Sequence, residues 1–487
     1  MGARTGAEFL AGLRKTNREI WLEDGRVDDV TTDPRLSGAA HTLAGVFDRQ
    51  HDFADECLVP DPETGEPMNI SHIFPLSIDD LGRRIEGLAR ISEHTAGLMG
   101  RTPDYMNMKF ASFAARSFDW EGEGGSNAHG AQNLVAFQKR LRRDDISLTH
   151  TIIQPNVDRR TDGEVIGNTV TLHKVGETAD SIVVRGARIL ATLAPFADEI
   201  AVYPALPVPA GAEDYALAFS VPMDIPGLKF LCRDSASAVG ADGFDRPLST
   251  RFDEQDAFVI FDDVEIPRHL MFLDGAPGTV ALYNSVGRTG LRDNMTTQSS
   301  VRALTKLEFA YGLGWRMAEL IGDHSQKTAE MLGEVLSYVE VTRSAINCSV
   351  AEGYDIGTGV FFPGGRPLTP MRSLLADWFP RVNEILTLIG SHNLLAAPSR
   401  AQLDHPEMRP LVDEFMYGAD DADAEERSAV FRLAWDFIGS SLGGRNVLYE
   451  RFYLTSAARN RSLAHLGNSN REVSRQLVAD ILASART

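Results

Sequence analysis

Three side chains in this 487-residue sequence carry groups suited to proton transfer and charge stabilisation: Arg101, Tyr105 and His150. An imidazole titrates near neutral pH, so His150, one of 12 histidines, can take or give a proton. Arg101 is permanently charged and can steady developing negative charge. Tyr105 can donate a hydrogen bond and wall a ring. On a helix, the i, i+4 spacing of Arg101 and Tyr105 places both on one face, which suits a shared pocket. Each also has an ordinary structural reading. Arg101 follows Gly100 and can close a helix end, Tyr105 can pack, and His150 lies in an apolar, strand-like run.

Three stretches of different periodicity must position these groups. Residues 1–145 read mainly as an α-helical domain, with Leu10, Leu13 and Ile20 giving apolar spacing. It is interrupted at Glu121–Asn127 by an acidic, Gly-rich run with the composition of a surface loop. Residues 146–275 shift to a period of two at Tyr215, Leu217, Phe219 and Val221, with further strand-like runs at Ser181–Val184, Glu199–Tyr203 and Phe258–Phe261. A sheet or barrel domain fits them. Residues 276–487 return to helical spacing, with stripes at Leu304–Ala318, Leu332–Ile346 and Leu374–Ile389 and around Val430, Leu433 and Phe437, which predicts a four-helix bundle. The overall class is α+β in the order α, β, α bundle.

Composition excludes several functions. A formal charge of −20 opposes general nucleic-acid binding, though a few arginines can still hold a dinucleotide pyrophosphate. Cys57, Cys232 and Cys348 are dispersed and form no CxxC pair, so neither a disulfide framework nor a metal motif is expected. The start of the chain lacks an apolar signal region and no apolar run approaches ~20 residues, from which a cytoplasmic protein without membrane insertion is expected. No GxGxxG follows a strand, so a nicotinamide fingerprint is absent.

Several strings, in order along nearly the whole chain, resemble the 4-hydroxyphenylacetate 3-hydroxylase oxygenase family. They are Arg4–Leu10, Asp28–Pro34, Gly100–Tyr105, Thr149–Arg159, Gly186–Thr192 and Gly443–Arg451. The resemblance implies the acyl-CoA dehydrogenase-like fold and a two-component flavin monooxygenase. Its FAD would arrive as FADH2 from a separate reductase, react with O2 to a C4a-hydroperoxide, and hydroxylate a phenol at the ortho carbon. It also implies a homotetramer.

By the same resemblance, Arg101, Tyr105 and His150 surround the phenol and the reactive flavin edge, with Pro204 and Ala205 also touching substrate. The chemistry is coherent: a phenol with pKa near ~10 is neutral at pH 7, while its phenolate is the better carbon nucleophile. The residues matching the flavin site are His150, Thr151, Ile152, Asn156, Val157, Asp158, Arg159, Thr192, Gly443, Gly444, Arg445 and Asn446. Thr192 can hydrogen-bond the ring system, and Arg159 or Arg445 can pair with pyrophosphate. An ion pair within a turn at Asp158 and Arg159, and a plain helix end at Gly443–Gly444, are the structural alternatives. Arg251 and Asp253 are assigned to support of the sheet or substrate loop, and the run Pro204–Gly211 to a mobile cover or a featureless connection.

The chain departs from the family pattern in the run Glu121–Asn127 and at Arg268, where Trp is common after Pro267. The first departure suggests a larger or carrier-protein-tethered phenol. Two other functions compete: a flavin-dependent dehydratase of the same architecture with an iron–sulfur cluster, such as 4-hydroxybutyryl-CoA dehydratase, and a non-catalytic flavin-binding homologue. Dispersed cysteines oppose the first, and Arg101, Tyr105 and His150 the second.

Overall fold

Local signals in the sequence open several helices. Thr5 accepts from the Glu8 N–H while the Glu8 carboxylate accepts from the Thr5 N–H, a reciprocal cap on the helix Gly6–Lys15. Ser77 caps Ile78–His94, and Pro103, which has no N–H to leave unpaired, starts Pro103–Ala115. The computed structural model describes residues 2–158, 160, 165–237, 239–468 and 470–485.

The strands of the first two regions are β1 (Ile20–Leu22), β2 (Gly25–Arg26), β3 (Leu58–Pro60), β4 (Pro67–Asn69), β5 (Leu148–His150), β6 (His173–Glu177), β7 (Ser181–Thr192), β8 (Glu199–Val202), β9 (Leu217–Pro222), β10 (Leu228–Cys232), β11 (Asp256–Pro267) and β12 (Met271–Asp274). Ten of these form two open sheets, ordered β2-β1-β10-β11-β7-β6 and β12-β9-β8-β5, and β3 pairs with β4. Neither sheet closes on itself among the described residues, so the middle region is a pair of sheets and the barrel alternative is corrected. The amino-terminal stretch is also less purely helical than its spacing suggests. It lends β1 and β2 to the larger sheet, where β1 runs parallel to β10.

Two pairings set up the site. Antiparallel β7 and β11 bring Thr192 opposite Asp256, and parallel β5 and β8 bring His150 opposite Ala201. Between the smaller sheet and the helices Pro103–Ala115 and Ala128–Arg143, Phe110 packs on Phe137 at 4.8 Å and Phe113 on Tyr203 at 5.7 Å. Burying each such ring contributes about 1.5–3 kcal/mol, enough to hold helix and sheet in register.

The four helices expected in the last part are present as Asn294–Leu320, Gln326–Ala351, Met371–Gly390 and Ala424–Ile438. Leu307, Val339, Val382, Ile385 and Phe437 are buried between them, while Trp315 of the first stripe is 52% exposed. A buried ionic triad stitches the bundle: Arg302 donates to both oxygens of Glu450 at 2.9 and 3.0 Å, and Lys306 donates to one at 3.0 Å. Cys57, Cys232 and Cys348 lie on three different elements. Among the described residues no helix is long and apolar enough to cross a membrane.

Candidate active site

Arg101 and Tyr105 meet, but not for the reason their spacing suggests. The helix begins at Pro103 with Thr102 as its cap, so Arg101 precedes it and only Tyr105 lies in its first turn. The guanidinium folds back over the Tyr105 ring, 4.0 Å from its centre. Its Nη1 also donates to the Gly100 carbonyl at 3.0 Å and to the Tyr449 hydroxyl at 2.5 Å. The turn is gripped from below by Glu254, whose carboxylate accepts from the backbone N–H groups of Gly100 and Arg101 at 2.9 and 3.0 Å. Gly100 is required by close approach, since a Cβ there would sit 2.0 Å from the Tyr449 oxygen. Burial opposes the charge on Arg101, but Tyr449, Tyr105 and Glu254 more than offset it and keep the group protonated.

His150 ends β5 and is buried between two tyrosines. Its ring lies 5.7 Å from that of Tyr105 at 20° and 5.5 Å from that of Tyr203 at 32°. Nδ1 is buried and has no hydrogen-bond partner among the described residues. Burial, then the charges of Arg101 and Lys109, hold its pKa well below the ordinary 6.5, so the imidazole is neutral and has a lone pair to offer. Thr149, on the opposite face of this short strand, donates its hydroxyl to the Thr192 carbonyl, and the Thr192 hydroxyl donates to Asp256 at 2.6 Å.

The residues matched to the flavin site divide into three groups. Among the described residues, Thr151 and Asn446 are buried with polar atoms, Oγ1 and Nδ2, that find no partner, and Gln255, between Glu254 and Asp256, has both amide atoms unpartnered. Ile152 and Asp158 are half-buried, Asn156 and Val157 are exposed, and Arg159 lies outside the described residues. Gly443–Asn446 lie in the first two turns of the helix Ser441–Phe452, capped by Ser440, so the glycine pair sits at the amino-terminal end of a helix. Arg445 differs from expectation. Its guanidinium is bidentate on Asp256 at 2.8 Å and bonds Glu254 at 2.7 Å, so its charge is spent on the protein and is not free for a pyrophosphate. Burial works against Asp256, yet Arg445 and Arg233 hold its carboxyl far below the usual range. Orphaned donors and acceptors at Thr151, Gln255 and Asn446 fit a polar-edged ring system such as a flavin, because buried polar groups ordinarily find partners.

Of the two positions assigned to support, Asp253 is buried, while Arg251 is exposed with its guanidinium 4.8 Å from the centre of the Phe252 ring. Asp253 accepts from Arg233 and from the Ala236 N–H beneath the larger sheet. In the run 204–211, Pro204 is buried and Ala205 half-buried. Val208 exchanges two hydrogen bonds of 2.9 Å with Asn284, so this segment is fastened to the helix Thr279–Val286 at that point. Ser126 and Asn127, at the end of the acidic stretch, line with Arg268, Asp274 and Leu282 a cavity of about 150 Å³ whose walls include none of Arg101, Tyr105 and His150. That stretch therefore borders a hollow that these three do not line.

Besides Gln255, Asp256 and Tyr449, the structure adds further groups that the sequence did not single out. Glu254 anchors the Gly100–Arg101 turn, Tyr203 faces His150, and buried Lys109 stands one turn beyond Tyr105 on the same helix. The i, i+4 spacing of Tyr105 and Lys109 was a local clue for the last. The others come from contacts across long stretches of chain.

Comparison with known proteins gives a consistent result. Family models described as 4-hydroxyphenylacetate 3-hydroxylase N terminal and C terminal match residues 5–273 and 283–483. The chain is 36% identical to a 4-hydroxyphenylacetate 3-monooxygenase oxygenase component of Thermus thermophilus, over 94% of this chain and 93% of that protein. It is 32% identical, over 92% and 84%, to a Streptomyces globisporus monooxygenase of (3S)-3-amino-3-(3-chloro-4-hydroxyphenyl)propanoyl-[peptidyl-carrier protein SgcC2]. A crystal structure of the oxygenase component of 4-hydroxyphenylacetate 3-monooxygenase complexed with FAD and 4-hydroxyphenylacetate superposes with a TM-score of 0.91, at 34% identity and 99% coverage of both chains. A 4-hydroxybutyryl-CoA dehydratase shares the fold at a TM-score of 0.86 and 17% identity.

Proposed function

This chain belongs to the 4-hydroxyphenylacetate 3-hydroxylase family, and from that premise we propose how its own residues carry out the reaction. It is the oxygenase component of a two-component, FAD-dependent phenol monooxygenase, supplied with reduced flavin by a separate reductase. Reduced FAD, when bound, supplies the electrons that activate O2 for transfer to the phenol ring. Thr151, Thr192, Gln255 and Asn446 hold the flavin ring, with backbone from Gly443 and Gly444. Arg445 acts one step back, fixing Glu254 and Asp256.

The phenol lies against His150, whose own ring is held between Tyr105 and Tyr203. The phenol hydroxyl donates a hydrogen bond to a ring nitrogen of neutral His150, and Arg101 favours negative charge on the phenol oxygen, which makes the ortho carbon electron-rich. A phenol with pKa near ~10 is scarcely ionised at pH 7, so a nearby neutral base and a fixed positive charge are what this step needs. Residues 204–208, fastened through Asn284, limit entry of water. One observation carries this reading: a buried, neutral imidazole with an unpartnered ring nitrogen, held between two tyrosine rings within the field of Arg101.

The test supplies chemically reduced FAD, O2 and a panel of para-substituted phenols, 4-hydroxyphenylacetate among them, to the purified chain and identifies products by mass. A product heavier by one oxygen, with the new hydroxyl ortho to the first, is expected. Consumption of O2 with no hydroxylated product from any phenol would overturn the assignment. We further propose a homotetramer in the cytoplasm. The helix Arg471–Ser484 buries none of its residues, and Leu477 and Ile481 are 64% and 70% exposed, an apolar face suited to cover by another subunit. The relative acting on a carrier-bound phenol makes a tethered substrate the second reading, tested by offering free and carrier-bound phenols side by side.

A further inference from the structure

Lys109 is a buried cation whose role the phenol chemistry leaves open. It is 2% exposed, and of its three N–H donors one is used, on the Thr289 carbonyl at 2.8 Å. Among the described residues it makes no ion pair. Its Nζ lies 4.2 Å from the centre of the Phe113 ring and 5.3 Å from that of Tyr203, the same Tyr203 that faces His150. On the helix Pro103–Ala115 it stands four residues beyond Tyr105, about 6 Å further along the axis on the same face. Arg101, Tyr105 and Lys109 thus follow one another along a line, with His150 and Tyr203 on its other side.

Burying a cation with a single neutral acceptor is unfavourable. Burial lowers the Lys109 pKa to about 7; Asp293 resists this and Arg372 adds to it. Asp293 does not fill the gap, because its carboxylate accepts instead from the Asn294 N–H at 2.6 Å and from the Tyr354 hydroxyl at 3.4 Å. An arriving anion would supply the missing acceptors and a counter-charge in direct contact, which Asp293 does not.

Resting on the reading of the site given above, we propose that Lys109 is a specificity-determining residue. It receives a carboxylate on a short arm para to the phenol hydroxyl, so the preferred substrates are free phenolic acids. The hydroxyl is held at the Arg101 and His150 end, the ring lies against Tyr105 and Tyr203, and the arm reaches one helical turn on to Lys109. A phenol whose arm is esterified or tethered lacks the charge that this end of the pocket lacks.

The experiment compares 4-hydroxyphenylacetate with its primary amide, using chemically reduced FAD and O2. The wild-type chain is expected to favour the acid in kcat/KM by at least about tenfold, the scale of one charged hydrogen bond. Lys109→Met should lower that acid-to-amide ratio at least about tenfold, and Lys109→Arg should retain most of it. A wild-type chain that handles the amide as well as the acid overturns the proposal without any variant. So does a Lys109→Met ratio equal to the wild-type one, which would leave Lys109 only a structural tie to Thr289. Failure of the wild-type chain to hydroxylate either phenol would sink the functional reading itself, and this proposal with it.

Discussion

The junction at Arg302, Lys306 and Glu450 and the pocket at Arg101, Lys109 and His150 are equally buried and both rich in ionisable groups, yet they are built on opposite principles. In the first, each cation has a carboxylate within about hydrogen-bonding distance, and burial of Glu450 is more than offset by Arg302 and Lys306, which keep it ionised. In the second, among the described residues, His150 Nδ1 has no hydrogen-bond partner and Lys109 no carboxylate in ion-pair contact. Glu254, Arg445 and Asp256 belong with the first kind although they lie next to the second. The difference teaches that completed charge pairs fix the frame, while deliberately incomplete groups are left for what binds.

That contrast can be broken in four ways. The largest effect should follow His150→Ala, with hydroxylation of a phenol falling about 10²–10⁴-fold while the urea midpoint moves little. A large loss of stability with modest loss of rate would place His150 in the frame instead. Next, Glu450→Leu leaves Arg302 and Lys306 buried without a counter-charge, and equilibrium denaturation should register a loss of about 3–5 kcal/mol. A neutral outcome would mean that the triad does not hold the bundle.

A smaller effect tests an incomplete group outside the pocket. His72 is buried with both ring nitrogens unpartnered, and burial pushes its pKa down to about 3. Because the unfolded chain protonates first, near 6.5, its contribution to stability is complete above pH 6.5 and is lost as pH falls towards 3. Each pH unit in that window removes about 1.4 kcal/mol. His72→Leu should flatten the wild-type fall in stability between pH 6.5 and 5, and equal slopes would contradict the assignment. The smallest effect is expected from deleting residues 121–126, which should change kcat/KM for a free phenol by less than about twofold. A selective loss for bulky or carrier-bound phenols would restore that stretch to the substrate path.

Much of this was legible in the chain before any contact was seen. The alternation through Leu217, Phe219 and Val221 marks β9, and the stripe through Val335, Val339 and Ile346 marks a bundle helix, because local spacing decides which side chains share a face. Arg101 and Tyr105 were brought together, although the proline at 103 starts the helix too late for a shared turn to be the cause. Three-residue β1 is too short to show a period, and its membership of the larger sheet depends on Phe230 and Leu231, some two hundred residues on. Arg445 looked like a phosphate ligand because its acidic partners, Glu254 and Asp256, are distant in sequence. Tyr203 and Glu254 were missed for the same reason: their importance comes from what they touch, and no local pattern records it.

The Glu254 carboxylate also bears on how the enzyme comes into being. It clasps a turn made early in synthesis and a guanidinium made near the end, and Arg101 leaves the ribosome 348 residues before the tyrosine that completes its hydrogen bonds. No amino-terminal fragment therefore contains a finished reaction chamber, and a nascent chain that meets reduced flavin cannot yet direct oxygen onto a ring. Competence arrives all at once, when the last third of the polypeptide docks.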